Sequence, residues 1–63
     1  MPMTGKDMLK LAKQNGWNEI RTKGSHHVVE KRGCENVSIP VHGNKDLRKG
    51  TEQQLLKDLG LKK

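Results

Sequence analysis

The chain has 63 residues, a formal net charge of +6 and a single aromatic residue, Trp17. A chain of this size buries only roughly 60 % of the surface its unfolded form exposes, which excludes an enclosed ligand cavity and a deep-pocket enzyme acting on a small molecule. Any chemistry then belongs on a surface, with a polymeric substrate as the other wall, and the basic balance suits a polyanion or an acidic protein partner.

Thr4-Gly5-Lys6-Asp7 matches the looser form of a capping box, in which the Thr4 hydroxyl accepts from the Asp7 amide and the carboxylate accepts from the Thr4 amide. Met8, Leu9, Leu11 and Ala12 follow at helical spacing, with Lys6, Lys10, Lys13 and Gln14 opposite, and Asn15-Gly16 supplies a left-handed stop. A helix over about residues 5–15 is predicted. Trp17, Ile20 and Thr22 fit a first strand from Trp17 to Lys23, Gly24-Ser25 is a turn, His26 to Lys31 is a second strand, and Arg32 to Asn36 is the next turn. Val37, Ile39 and Val41 alternate with Ser38, Pro40 and His42, the period of a half-buried strand. Pro40 has no N–H for a ladder, so it predicts an edge strand. His42 to Lys49 is a polar connection. Thr51-Glu52-Gln53-Gln54 reads as a second capping box, opening a helix with Leu55, Leu56 and Leu59 on one face and a Schellman stop at Gly60-Leu61.

Cys34 is the only cysteine. It allows no intramolecular disulfide and no zinc site of the usual two-cysteine spacings, and an unpaired thiol suits a reducing compartment. Met1 to Lys10 lacks a continuous apolar stretch and no window approaches a membrane span. A cytoplasmic protein without a membrane anchor, metal or other cofactor is expected, in one domain over residues 1–63. The element order implies an α+β fold, helix–three-stranded antiparallel sheet–helix. Packing both helices on one face of the sheet buries every apolar stripe, and that is the architecture of double-stranded-RNA-binding domains.

Several segments resemble the HicA toxin family: the Asn15-Gly16-Trp17 junction, the Lys23-Gly24-Ser25-His26-His27 run, Ile39-Pro40-Val41-His42, and Lys49-Gly50-Thr51 leading into a helix that ends Leu59-Gly60-Leu61. They cover nearly the whole chain in the family's order and spacing. The resemblance implies a toxin of a type II toxin–antitoxin pair that cleaves messenger RNA and is neutralised by a HicB-like antitoxin. It also implies that a histidine of the Gly-Ser-His segment is catalytic: His26 if it directly follows Gly-Ser, His27 if the family alignment places another residue between. Where many relatives carry an aromatic in the second strand near Val29, this chain carries none.

Cleavage of RNA uses its own 2′-hydroxyl as nucleophile. That proton must be removed, the phosphate charge met and the 5′-oxygen protonated, and histidine suits the proton transfers because its unperturbed pKa is about 6.5. Neighbouring strand residues point to opposite faces, so only one of His26 and His27 serves the open face. Inward packing of Val29 would send His26 outward; inward packing of Val28 would send His27 outward. Adjacent histidines also make a poor pair of ligands for one metal ion. Gly24 and Ser25 form a turn that can approach a phosphate, and Lys23, Lys31, Arg32, Lys45, Arg48 and Lys49 are candidate phosphate contacts. His42 is a candidate accessory group. The competing readings are a non-catalytic double-stranded-RNA-binding module of the same fold and a small protein-interaction domain. The first lacks the lysine cluster usual at the start of such a module's second helix, and a single aromatic provides no base-stacking sheet.

Overall fold

Helix α1 spans Gly5–Gln14 and opens as its sequence predicts. The Thr4 hydroxyl accepts from the Asp7 amide at 3.1 Å, and the Asp7 carboxylate accepts from the Thr4 amide at 3.1 Å. The computed structural model describes residues 3–62. At the far end of α1, the Gly16 amide donates to the Lys13 carbonyl and the Trp17 amide to the Ala12 carbonyl, closing a Schellman stop. This turn carries Trp17 straight into the core, where it is 2 % exposed.

Three antiparallel strands follow in the spatial order β1-β2-β3: β1 (Asn18–Lys23), β2 (His26–Glu30) and β3 (Val37–Pro40). Lys23 pairs with His26, so Gly24-Ser25 is a two-residue hairpin loop. Gly24 has φ +58° whereas Ser25 has a negative φ, the pattern of a type II′ turn that matches the twist of the flanking strands. β3 lies at the edge of the sheet, where Pro40 leaves no central ladder bond unmade.

Two features depart from the simple reading. The β1–β2 register slips between Glu19 and Arg21. Ile20 stands at this bulge, 45 % exposed, and Glu19 rather than Ile20 takes the helix-side place beside Val29. The second capping box is also absent. α2 (Lys49–Asp58) starts three residues earlier than Thr51 would set it, with Arg48 at the N-cap and no side-chain cap. Backbone pairing causes the shift: the Leu47 amide donates to the Met3 carbonyl at 2.7 Å and Asp46 bridges to Thr4, so the chain is already turned into the helix at Arg48. Gln54, the residue that would have closed the box, donates to the Asp58 carboxylate at 2.8 Å, and the Glu52 carboxylate accepts from the Met3 amide at 3.2 Å. The stop of α2 is as predicted, with the Gly60 amide donating to Lys57 and the Leu61 amide to Leu56.

Met8, Leu9 and Ala12 of α1, Trp17, Val29, Val37 and Ile39 of the sheet side, and Leu55 and Leu59 of α2 or its cap form one core cluster. Both helices therefore cover the same face, and the fold is the double-stranded-RNA-binding type. At Gly5 α1 meets β3 without room for a side chain, since a Cβ would lie 2.0 Å from the Pro40 carbonyl oxygen. Only a glycine lets the first turn of α1 sit on β3. The opposite face of the sheet carries no helix.

Candidate active site

Val29 decides which histidine looks outward. It is fully buried, so every residue on its side of β2 faces the helices. His27 shares that side; His26 and Val28 stand on the bare face. The pairing extends both rows across the sheet. On the bare face, His26 is flanked by Lys23 and Pro40, and Val28 by Arg21 and Ser38. Arg21, Lys23, Gly24, Ser25, His26, Val28 and Ser38 together line one shallow concavity. The Ser38 hydroxyl is 3.4 Å from His26 Nδ1, on the neighbouring strand.

No acidic residue lines this concavity. Among the described residues, the ion pairs both run through Glu19 on the other face, which leaves Arg21 and Lys23 as unneutralised cations beside an exposed imidazole. Such a site attracts an anion and places an acid–base group against it.

The helix-bearing face holds a different arrangement. The Glu19 carboxylate accepts from Thr22 Oγ1 at 2.7 Å, meets His27 Nδ1 at 2.5 Å and pairs with Lys13 Nζ at 3.1 Å. The Thr22, His27 and Lys13 hydrogen bonds hold its carboxyl well down, from an ordinary 4.5 to about 2. An ionised carboxylate only accepts, so Nδ1 of His27 carries the proton. The His27 side chain is 23 % exposed.

The remaining predicted residues disperse. Lys31 and Arg32 follow the end of β2 remote from His26, where they line a separate hollow with Asn18, Glu30, Cys34 and Asn36. Lys31 lies five positions along the chain from His26, roughly 16 Å at about 3.3 Å per residue. Lys45 and Arg48 border a third hollow with Pro40, His42 and Thr51, and Lys49 opens α2. Only Lys23, Gly24 and Ser25 join His26 in its concavity. Arg21 and Ser38 join it as well, although no motif singles them out. Ser38 was readable from the alternation of β3; Arg21 was hidden by the bulge. Among the described residues no three His, Cys, Asp or Glu side chains converge, and no helix is long and apolar enough to cross a membrane.

A family model described as the HicA toxin of bacterial toxin–antitoxin systems matches residues 5–61. Among solved structures, the chain is similar to one from a toxin–antitoxin complex of Streptococcus pneumoniae, with 41 % sequence identity and a TM-score of 0.81. That likeness covers 95 % of this chain and 100 % of the other. No curated protein matches this chain.

Proposed function

The chain belongs to the HicA toxin family of bacterial toxin–antitoxin systems, and from that premise we propose that it is an endoribonuclease acting on messenger RNA, with His26 as its acid–base residue. The observation that carries the reading is the placement of His26: exposed on the bare face, next to Arg21 and Lys23, with the Ser38 hydroxyl in reach of Nδ1. An RNA strand laid along this face meets two cations with its phosphates and the imidazole with a 2′-hydroxyl. His26 takes the 2′-proton, the 2′-oxygen attacks phosphorus, and the 5′-oxygen departs with a proton returned by the imidazolium. The products are a 2′,3′-cyclic phosphate and a 5′-hydroxyl. Lys45, Arg48 and Lys49, near the Pro40 end of the sheet, extend the phosphate track; Lys31 and Arg32 contact RNA only if the strand runs the length of β2.

The partner that silences such a surface is an antitoxin of the HicB kind. Support comes from the similar chain, whose structure is that of a toxin–antitoxin complex, and from the net charge of +6, which favours an acidic protein. The single exposed thiol of Cys34 suits a reducing cytoplasm.

Purified protein incubated with single-stranded RNA tests the reading. Wild type is expected to leave cyclic-phosphate ends, and His26→Ala to remain folded and leave the RNA intact. Binding of duplex RNA without cleavage would instead favour a non-catalytic module of this fold. A 3′-hydroxyl product would overturn the mechanism.

A further inference from the structure

His26 is held by little of its own. It is the first residue of β2, directly after a two-residue loop, and its one side-chain neighbour within hydrogen-bonding reach is Ser38 at 3.4 Å. An exposed imidazole with so few contacts takes its position from the backbone beneath it. That backbone pairs with β3 on one side, and on the other it forms the tip of the β1–β2 hairpin, where the register slip between Glu19 and Arg21 separates the tip from the rest of that ladder. A bulge leaves one residue unpaired and bends its strand, so the β1 arm of the tip, unlike the β2 arm that pairs with β3 in unbroken register, needs a second attachment.

Glu19 supplies it. Its backbone lies before the slip, paired with Val29, while its side chain bonds Thr22 and His27, which pair with each other beyond the slip. Lys13 ties the same carboxylate to α1. One side chain thus spans the irregularity and fastens both strands of the tip to the helix. Resting on the ribonuclease reading above, we infer that Glu19 is a positioning residue: by anchoring His27 and Thr22 across the bulge it fixes the β1 flank of the tip, and with it the geometry in which Lys23 and His26 meet the RNA. His27 is in this view a handle gripped at Nδ1 rather than a second acid–base group, since its side chain lies on the face away from the concavity.

Steady-state cleavage of a short RNA, measured well below the melting temperature of each variant, tests this. Displacement of a reacting group by about 1 Å costs on the order of 100-fold, and a loosened tip that samples the correct position part of the time is expected to lose about tenfold. Glu19→Ala and the isosteric Glu19→Gln should lower kcat by that factor and leave KM within about twofold, because Glu19 is absent from the RNA-facing surface. His27→Asn presents an amide N–H near the place of Nδ1–H but has no acid–base capacity. It should keep kcat within about threefold of wild type, while His27→Ala falls with the Glu19 variants. An unchanged kcat in both Glu19 variants overturns the inference, and so does a His27→Asn variant as inactive as His26→Asn.

Amide hydrogen exchange over residues 21–28 gives a readout independent of cleavage. Faster exchange at the tip in Glu19→Gln, with Val29 and Val37 unchanged, supports the anchor; identical exchange overturns it. Should the wild type prove unable to cut RNA, the ribonuclease reading fails by itself, and the exchange experiment still judges the anchor.

Discussion

His26 and His27 are neighbours in the chain, yet the sheet places them in two different chemical settings. The bare face offers His26 solvent, two cations and a serine hydroxyl, with no carboxylate beside it. The helix-bearing face offers His27 a carboxylate that already holds a threonine and a lysine. In the proposed mechanism one imidazole exchanges protons with the RNA, while the other is committed to a bond with Glu19. Two like residues one position apart differ in role because a strand turns successive side chains through half a revolution. The alternation puts the proposed RNA-facing surface and the scaffold on separate sides of the sheet.

The most direct way to break the comparison is to remove each imidazole in turn. His26→Asn should lower the cleavage rate by about 10²–10⁴, the usual worth of a positioned acid or base, whereas His27→Asn should stay near wild type; equal losses would erase the distinction between the faces. The scaffold side is best challenged at Gly5. A Cβ there would lie 2.0 Å from the Pro40 carbonyl oxygen, so Gly5→Ala must lift α1 from β3, at a cost of about 1–3 kcal/mol by the usual penalty of overpacking. Thermal or urea denaturation measures that loss, and an unchanged midpoint would show that the two elements separate freely.

On the bare face, Arg21→Ala should weaken RNA binding and reduce the slope of log affinity against log salt by about one. Lys31→Ala, at the remote end of β2, should change it less for a short RNA. Binding titrations over a salt series compare them.

Glu19 provides the pH test. Its carboxyl titrates at about 2 in the folded chain against an ordinary 4.5. A lowered folded value means that the associated stability is fully present above the ordinary value and is lost as pH falls toward the folded one. The difference in melting temperature between wild type and Glu19→Gln should therefore be constant above pH 5 and shrink between about pH 4.5 and 2. A difference independent of pH would show that the charge of Glu19 contributes nothing. The smallest effect is expected at Ile20, exposed at the bulge, where Ile20→Thr should alter stability by no more than about 0.5 kcal/mol.

Local chemistry in the chain was sufficient for much of this architecture. The Thr4–Asp7 box, the stops at Gly16 and Gly60, the hairpin loop at Gly24-Ser25 and the edge strand at Pro40 are each dictated by residues within a few positions of one another. The same holds for the order of elements, and the Gly-Ser-His-His run marks the β1–β2 hairpin on which the proposed site lies. Contacts distant in sequence settled the rest. Val28 and Val29 are equally apolar, so only packing against the helices could choose the inward one and so turn His26 outward. The bulge that brings Glu19 to His27 and Arg21 to the bare face arises in the pairing of β1 with β2. The early start of α2 follows from backbone pairing with Met3 and Thr4, some 40 residues away. A strand's alternation is written in its sequence, but which of its two faces meets the core is a property of the assembled fold.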